Sequence, residues 1–346
     1  MRHLRGPALP RALLFAVAVV AVALLPRVLS DFRASQAALV AVYFVALLGL
    51  NVLTGYAGLV SLGHGAFMAI GGYVTAILVS DQGLELFGHT FSSDLRDVWT
   101  LPLAGLVAGV AGLLFGLPAV RLTGAYLALA TFGIAVALPA VLKKAEALTG
   151  GSTGINLFGL PKLTGLGVET TVLGRTLTYN DWLYYICWGV ALVALVVAWL
   201  LLRGRLGRAF RAVRDSEAAA VSSGVRLASA KTAAFGISAA YAGVAGGLYA
   251  MHSTFVSPTV FDVTLSIFLL VGVVVGGLGT LWAQVFGAAF IVFLPDVAQR
   301  LSTQPGVPSI VYAAVLIALM LLLPTGVGGL LRRALAPLTS RLYYRS

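Results

Sequence analysis

Ser61 and His64 stand three residues apart in a glycine-rich stretch, with Asn51 ten residues ahead of Ser61. Hydroxyl, imidazole and carboxamide groups of this kind exchange hydrogen bonds with a polar solute. They do not make a catalytic set, because the stretch holds no acid to orient His64 and no nucleophile motif around Ser61. The one cysteine, Cys187, lies in an apolar run and makes neither an internal disulfide nor a metal cluster. No catalytic residue and no metal site is therefore expected. The chain has no Gly-Lys dipeptide, hence no G-x-x-x-x-G-K-[ST] phosphate loop, and is not expected to hydrolyse ATP itself.

The elements that position these residues follow from composition. The 346 residues are 60% hydrophobic and only 10% charged, too little polar surface to coat a soluble globule. Soluble enzymes, disordered chains and nucleic-acid binders are excluded. Runs long enough to cross a bilayer fall at about 12–29, 36–54, 59–79, 99–118, 122–142, 182–202, 231–251, 264–279, 281–295 and 308–323. The expectation is an all-α membrane protein, a polytopic bundle of about ten transmembrane helices with a broken or re-entrant segment. Residues 1–35 read as a cytoplasmic N-terminus and a retained first anchor, 36–325 as the membrane core with a loop at 203–230, and 326–346 as a basic cytoplasmic tail. With both termini inside, fifteen of the 23 Lys and Arg fall on the cytoplasmic side, and of the acids only Asp215 and Glu217 do. The basic balance is thus an orientation signal and not a nucleic-acid footprint.

Asp and Glu avoid the spans, with Asp262 and Asp296 placed at predicted span ends. Proton- or sodium-driven carriers usually keep ionisable groups inside the membrane. Energy for uphill transport is therefore expected to enter from outside the bilayer. An ion-coupled carrier or a passive channel is a distant alternative.

Two segments carry most of the information. The first, 51–73, holds six glycines in 23 residues, a poor recipe for a straight helix. Irregular backbone survives in lipid only where protein buries it or a wet cavity borders it. Asn51, Gly55, Tyr56, Gly58, Ser61, Gly63, His64 and Gly65 are the candidates to line a polar path. The competing reading is that the glycines only let helices pack closely, as for Gly105-x-x-x-Gly109 and Ala239-x-x-x-Gly243-x-x-x-Gly247. The second segment is the basic loop, in which Arg205, Arg208, Arg211 and Arg214 recur near helical spacing. Asp215 or Ser216 is suited to cap a second short helix, Glu217 suits its positive end, and Gly224 closes it. Such an ordered element, with small alanines at its centre, is suited to seat in another protein's groove.

The 51–73 segment, Thr149-Gly150-Gly151-Ser152-Thr153-Gly154, the 207–224 loop and Gly276-Gly277-Leu278-Gly279-Thr280-Leu281-Trp282 occur here in order. Together they resemble the permease subunits of branched-chain amino-acid ABC importers, of the LivM type. The resemblance implies a five-part machine. Two related permeases, this chain and a LivH-like partner, form the path; two cytoplasmic ATPases bind ATP and Mg; an external binding protein delivers the small-molecule solute. No cofactor is implied for this chain. It also implies a prokaryotic inner-membrane location, lipid contact, and a loop docked on the ATPases through Gly207, Arg208, Arg211, Arg214, Asp215, Glu217, Ala219, Ala220 and Gly224. Ala219-Ala220-Val221-Ser222-Ser223-Gly224 supplies the family's A-A-x-x-x-G, while the acid stands at Glu217 with Ala218 in its usual place. Relatives carry leucine, isoleucine and valine, and some carry urea, short amides or other amino acids.

Overall fold

The computed structural model describes residues 30–80, 84–86, 89–91, 97–122, 124–158, 171–172, 175–176, 179–301, 307–322 and 326–331. The predicted 12–29 anchor and the 332–346 tail lie outside these residues. The described chain is helical: α1 (Asp31–Asn51), α2 (His64–Val79), α3 (Asp97–Ala119), α4 (Ala125–Lys144), α5 (Glu146–Thr149), α6 (Tyr179–Arg203), α7 (Arg205–Asp215), α8 (Glu217–Ser222), α9 (Leu227–Ser253), α10 (Val263–Gly276), α11 (Gln284–Leu301) and α12 (Val307–Leu322). Five stretches among the described residues are long and apolar enough to cross a membrane: Asp31–Tyr56, Val98–Ala119, Ala125–Lys144, Tyr179–Arg203 and Leu227–Ser253. The helices α2 and α10 are apolar but shorter.

The long helix α9 is the axis of the bundle, packed against α1, α2 and α3. Small residues let it sit there. Gly105, Gly109 and Gly112 of α3 abut Ala240, Gly236 and Ala239 of α9, and Gly243 of α9 abuts Ala104 and Ala108. Both small-residue stripes read from the sequence are thus packing faces. A further contact, between α2 and α9, is closer still. A side chain at Gly71 would collide with the Gly243 carbonyl, and one at Gly246 with the Met68 carbonyl.

The chain has two ends. At the Ser30 end, the hydroxyl of Ser35 lies 3.0 Å from His252 Nε2, and Tyr179 donates to the Met251 carbonyl at 2.8 Å. The 149–154 loop also lies there. It leads into Ile155–Asn156, which pairs antiparallel with Phe255–Val256, and Leu157 N–H reaches the Thr254 carbonyl at 2.8 Å. The glycine-rich loop therefore ties two connections together. At the other end lie Gly55, α7, α8 and the 277–283 turn.

Asp262 stands at the end of its apolar helix, as expected. It is the N-cap of α10, with its carboxylate accepting from Leu265 N–H at 3.2 Å and Thr264 Oγ1 at 2.9 Å. That cap is not at the bundle's end. The Asp262 carbonyl oxygen lies 3.3 Å from where a Cβ on Gly65 would sit, and Ser266 Oγ accepts from Gly65 N–H at 2.9 Å. Helix α10 thus begins beside the start of α2, about 20 Å from the Val79 end of that helix. After Phe255–Val256 the chain re-enters the bundle before α10 begins, so the end of an apolar run is not the end of a span. Asp262 is exposed on the flank of the chain at this depth.

Candidate functional site

Helix α1 does not end as an ordinary helix. Its last turn widens into a π turn over Val52–Tyr56, with Ala57 N–H bonded to the Val52 carbonyl at 3.1 Å and Leu59 N–H to Leu53 at 3.0 Å. In an α-helix Leu59 N–H would reach the Gly55 carbonyl. That carbonyl is left without its helical partner and accepts from Arg214 instead, and Gly58 turns the chain with a φ of 72°. The segment predicted to be broken is broken here, over 57–63, before α2 starts at His64.

The break is held by side chains from distant parts of the chain. Asn51 is fully buried; it accepts from Gly279 N–H at 2.9 Å and donates to the Thr280 carbonyl at 3.0 Å. Tyr56 donates to the Gly279 carbonyl at 2.8 Å. Thr131 of α4 accepts from Leu62 N–H at 2.9 Å. Ser61 is buried, and its hydroxyl accepts from Gly63 N–H at 3.3 Å. Gly63 and Gly65 sit against Thr131 and Ser266. Asn51 therefore clamps the 277–280 turn to α1, a role that sequence could not reveal across 229 residues.

His64 is buried with 1% of its surface exposed. Ser238 donates its hydroxyl proton to the Gly49 carbonyl at 2.7 Å, so at 3.0 Å it accepts from His64 Nε2. This fixes the proton on Nε2 and leaves Nδ1 as a buried acceptor without a partner among the described residues. The imidazole joins α1, α2 and α9. It lies inside this chain and not on its open flank.

One or two short helices are expected in the basic loop, and it forms two. Gly207 of α7 lies against the Leu202 carbonyl, and Phe210 and Val213 are buried beneath the helix. Arg205 and Arg208 are exposed, while Arg211 turns back toward the Leu202 carbonyl at 3.4 Å. Of the two possible caps it is Ser216 that serves, accepting from Ala219 N–H at 3.3 Å. Gly224 closes α8 with a φ of 81°, a conformation costly for residues with a Cβ. Ala220 is buried with Val213 and Ala230, whereas Ala218, Ala219, Val221 and Ser222 form a free face.

Two charged residues of this element are tied within the chain. Glu217 pairs with Lys231 of α9 at 2.8 Å, and Lys231 is only 2% exposed. Arg214 pairs with Asp215 at 3.0 Å and donates to the Gly55 carbonyl at 2.9 Å. Lys231 escaped the sequence reading because nothing local marks it as the partner of Glu217. The pair gives an asymmetric prediction. Glu217→Gln strands a buried ammonium, and breaking a fully buried pair costs about 3–5 kcal/mol. Because Glu217 is 41% exposed, water screens part of that, and about 1–3 kcal/mol is expected. Lys231→Met leaves only a half-exposed carboxylate and should cost less. Thermal unfolding of the two purified variants checks the order; a larger loss for Lys231→Met would refute it.

This geometry can be set against known proteins. The family model described as "Branched-chain amino acid transport system / permease component" matches residues 33–323, across the whole described bundle. The chain belongs to this family. Among curated relatives, the LivM permease protein of the high-affinity branched-chain amino acid transport system of Salmonella typhimurium is 38% identical over 294 residues. The LivM protein of Escherichia coli is 37% identical over 295 residues. The alignments cover 81% of this chain and 66% and 67% of those relatives, so the chain spans about two thirds of their length. No solved structure matches it. As a member of the permease family, the chain carries the break after α1, the Asn51-clamped turn and the α7–α8 element within the matched region. The roles of individual residues are read from the geometry above.

Proposed function

We propose that this chain is one of two permeases forming the path of an ABC importer for leucine, isoleucine and valine. It lies in a prokaryotic inner membrane with both termini in the cytoplasm. A LivH-like permease completes the path, an external binding protein delivers the solute, and two ATPases bind ATP and Mg. This chain is not an enzyme and needs no cofactor of its own. The observation that carries the reading is the family match over residues 33–323. The free face of α8, apolar at Val221 and small at Ala218 and Ala219, supports its docking on an ATPase. The exposed carboxylate of Asp262, deep along the bundle, supports a wet flank that a second permease encloses, since a charge at such depth is tolerated in contact with water.

The test is isolation of the complex through a tag on this chain, with mass spectrometry of what accompanies it. Two ATPases, a second permease and an external binding protein are expected, and the binding protein should respond to leucine and valine in a titration. A response to urea alone would replace the substrate class. A chain that purifies alone and passes solute in ATP-free liposomes would sink the importer reading.

A further inference from the structure

We propose that Arg214 is the residue that transmits motion of the ATPase-docking element to the membrane path, by holding the π turn at the end of α1. The proposal rests on the importer reading above and adds to it a defined link inside this chain. Its basis is the Gly55 carbonyl, which the π turn leaves without a backbone partner. The π turn diverts Leu59 N–H from Gly55 to Leu53, and the guanidinium of Arg214 occupies the vacated acceptor at 2.9 Å. The side chain is guided there. A Cβ on Gly58 would lie 2.8 Å from Arg214 Cγ, and Asp215 Oδ1 accepts from Arg214 Nε and Nη2 at 3.0 Å each. The planar fork of donors on arginine serves both partners at once in a fixed geometry that a single ammonium does not reproduce.

The location makes the bond a lever. Arg214 lies in the last turn of α7, two residues before the Ser216 cap of α8. A tilt of the α7–α8 element moves the guanidinium relative to α1. On release, the Gly55 carbonyl has an α-helical partner available in Leu59 N–H, and the turn over 52–59 changes register by taking it. Asn51 and Tyr56 bracket that turn, and both are hydrogen-bonded to the Gly279–Thr280 turn that joins α10 to α11. A register change would therefore act on α1, α10 and α11 together. The element has two defined arrangements, a π turn held by arginine and a tighter turn without it. Docking shifts their balance only if the ATPase states differ in how they tilt α7.

The experiment uses the whole complex, reconstituted with its binding protein in liposomes. It reads recovered complex, thermal stability, and ATP hydrolysed per solute imported. Arg214→Ala should raise the ATP spent per solute imported at least fivefold, counted per recovered complex. Arg214→Lys, which keeps one donor for Gly55, should restore part of the coupling. Arg203→Ala removes another charge of the same loop, one stacked on Trp199 at 3.7 Å, and should leave the ratio within twofold. An unchanged ratio in Arg214→Ala, or an equal rise in Arg203→Ala, would overturn the proposal. So would a fall in transport that only tracks lost complex. If the wild-type complex shows no ATP-driven uptake, the importer reading falls and this proposal with it.

Discussion

Ala219→Trp is expected to cut ATP-driven uptake at least tenfold per assembled complex while the chain itself still folds. The reason lies in the division of α8 into two faces. Ala220 is buried against Val213 and Ala230, so its methyl group holds α8 to its own chain. Ala219, one position earlier, lies on the opposite, exposed side with Ala218 and Ser222. An indole at 219 meets nothing in this chain and fills whatever groove receives the helix. The same indole at 220 has no room and must lift α8 off α7 and α9, at a cost of several kcal/mol. The two variants therefore separate docking from folding. Ala219→Trp should give normal amounts of chain, poor uptake and hydrolysis that no longer responds to loaded binding protein. Ala220→Trp should lower the amount of folded chain. Full uptake by Ala219→Trp with a normal yield of complex would remove α8 from the docking surface.

The α8 design was legible because it is local. A serine that caps, an acid in the first turn and a closing glycine follow one another within nine residues, and each acts on backbone groups close to it. The break after α1 was legible for a similar reason, since glycines at 55, 58, 63 and 65 cannot sustain a straight span. What holds the break was not. Asn51 is a candidate path residue from its type alone, and the fold brings Gly279 and Thr280 to it. His64 is a candidate of the same kind, and the fold sets it beside Ser238, which in turn holds the Gly49 carbonyl. The polar groups of this segment find their partners on other elements, Asn51 in the 279–280 turn and His64 on Ser238 of α9, and such partners lie across the fold.

Asp262 stands at the end of its helix as read from the sequence, but its depth was not legible. Hydropathy locates where an apolar run stops and not how far along the bundle it stops. Here the chain re-enters the bundle over 257–262 before its helix starts, so the boundary is displaced inward. The family resemblance implies that Arg214 and Glu217 belong to the loop docked on the ATPases, and the fold gives each a partner within this chain. Those bonds do not exclude contact with an ATPase; they show what any such contact must pull against.

Gly246→Val is expected to cost about 3 kcal/mol or more and to leave little folded chain in the membrane. At Gly246 the obstacle is backbone: the added carbon meets the Met68 carbonyl, with Gly72 N 2.9 Å away. Gly71 and Gly243 make the same contact from the other side, so α2 and α9 touch through main chain over more than one turn. Backbone cannot choose another rotamer, and the helices must separate along their length. Without a hydrophobic force between helices in lipid, such close packing is much of what joins them. Gly189 of α6 supplies the control, because a Cβ there would meet nothing within 4 Å. Gly189→Ala should be neutral or stabilising by up to about 1 kcal/mol, as expected for glycine in a helix interior. Thermal unfolding in detergent and the yield of folded chain measure both. Equal stability of Gly246→Val and wild type would mean that α2 is free to leave α9. If it is not free, α2 and α9 move as one body, and rearrangement of the path falls to α1 beyond Asn51, to α10, and to the turn that Asn51 clamps.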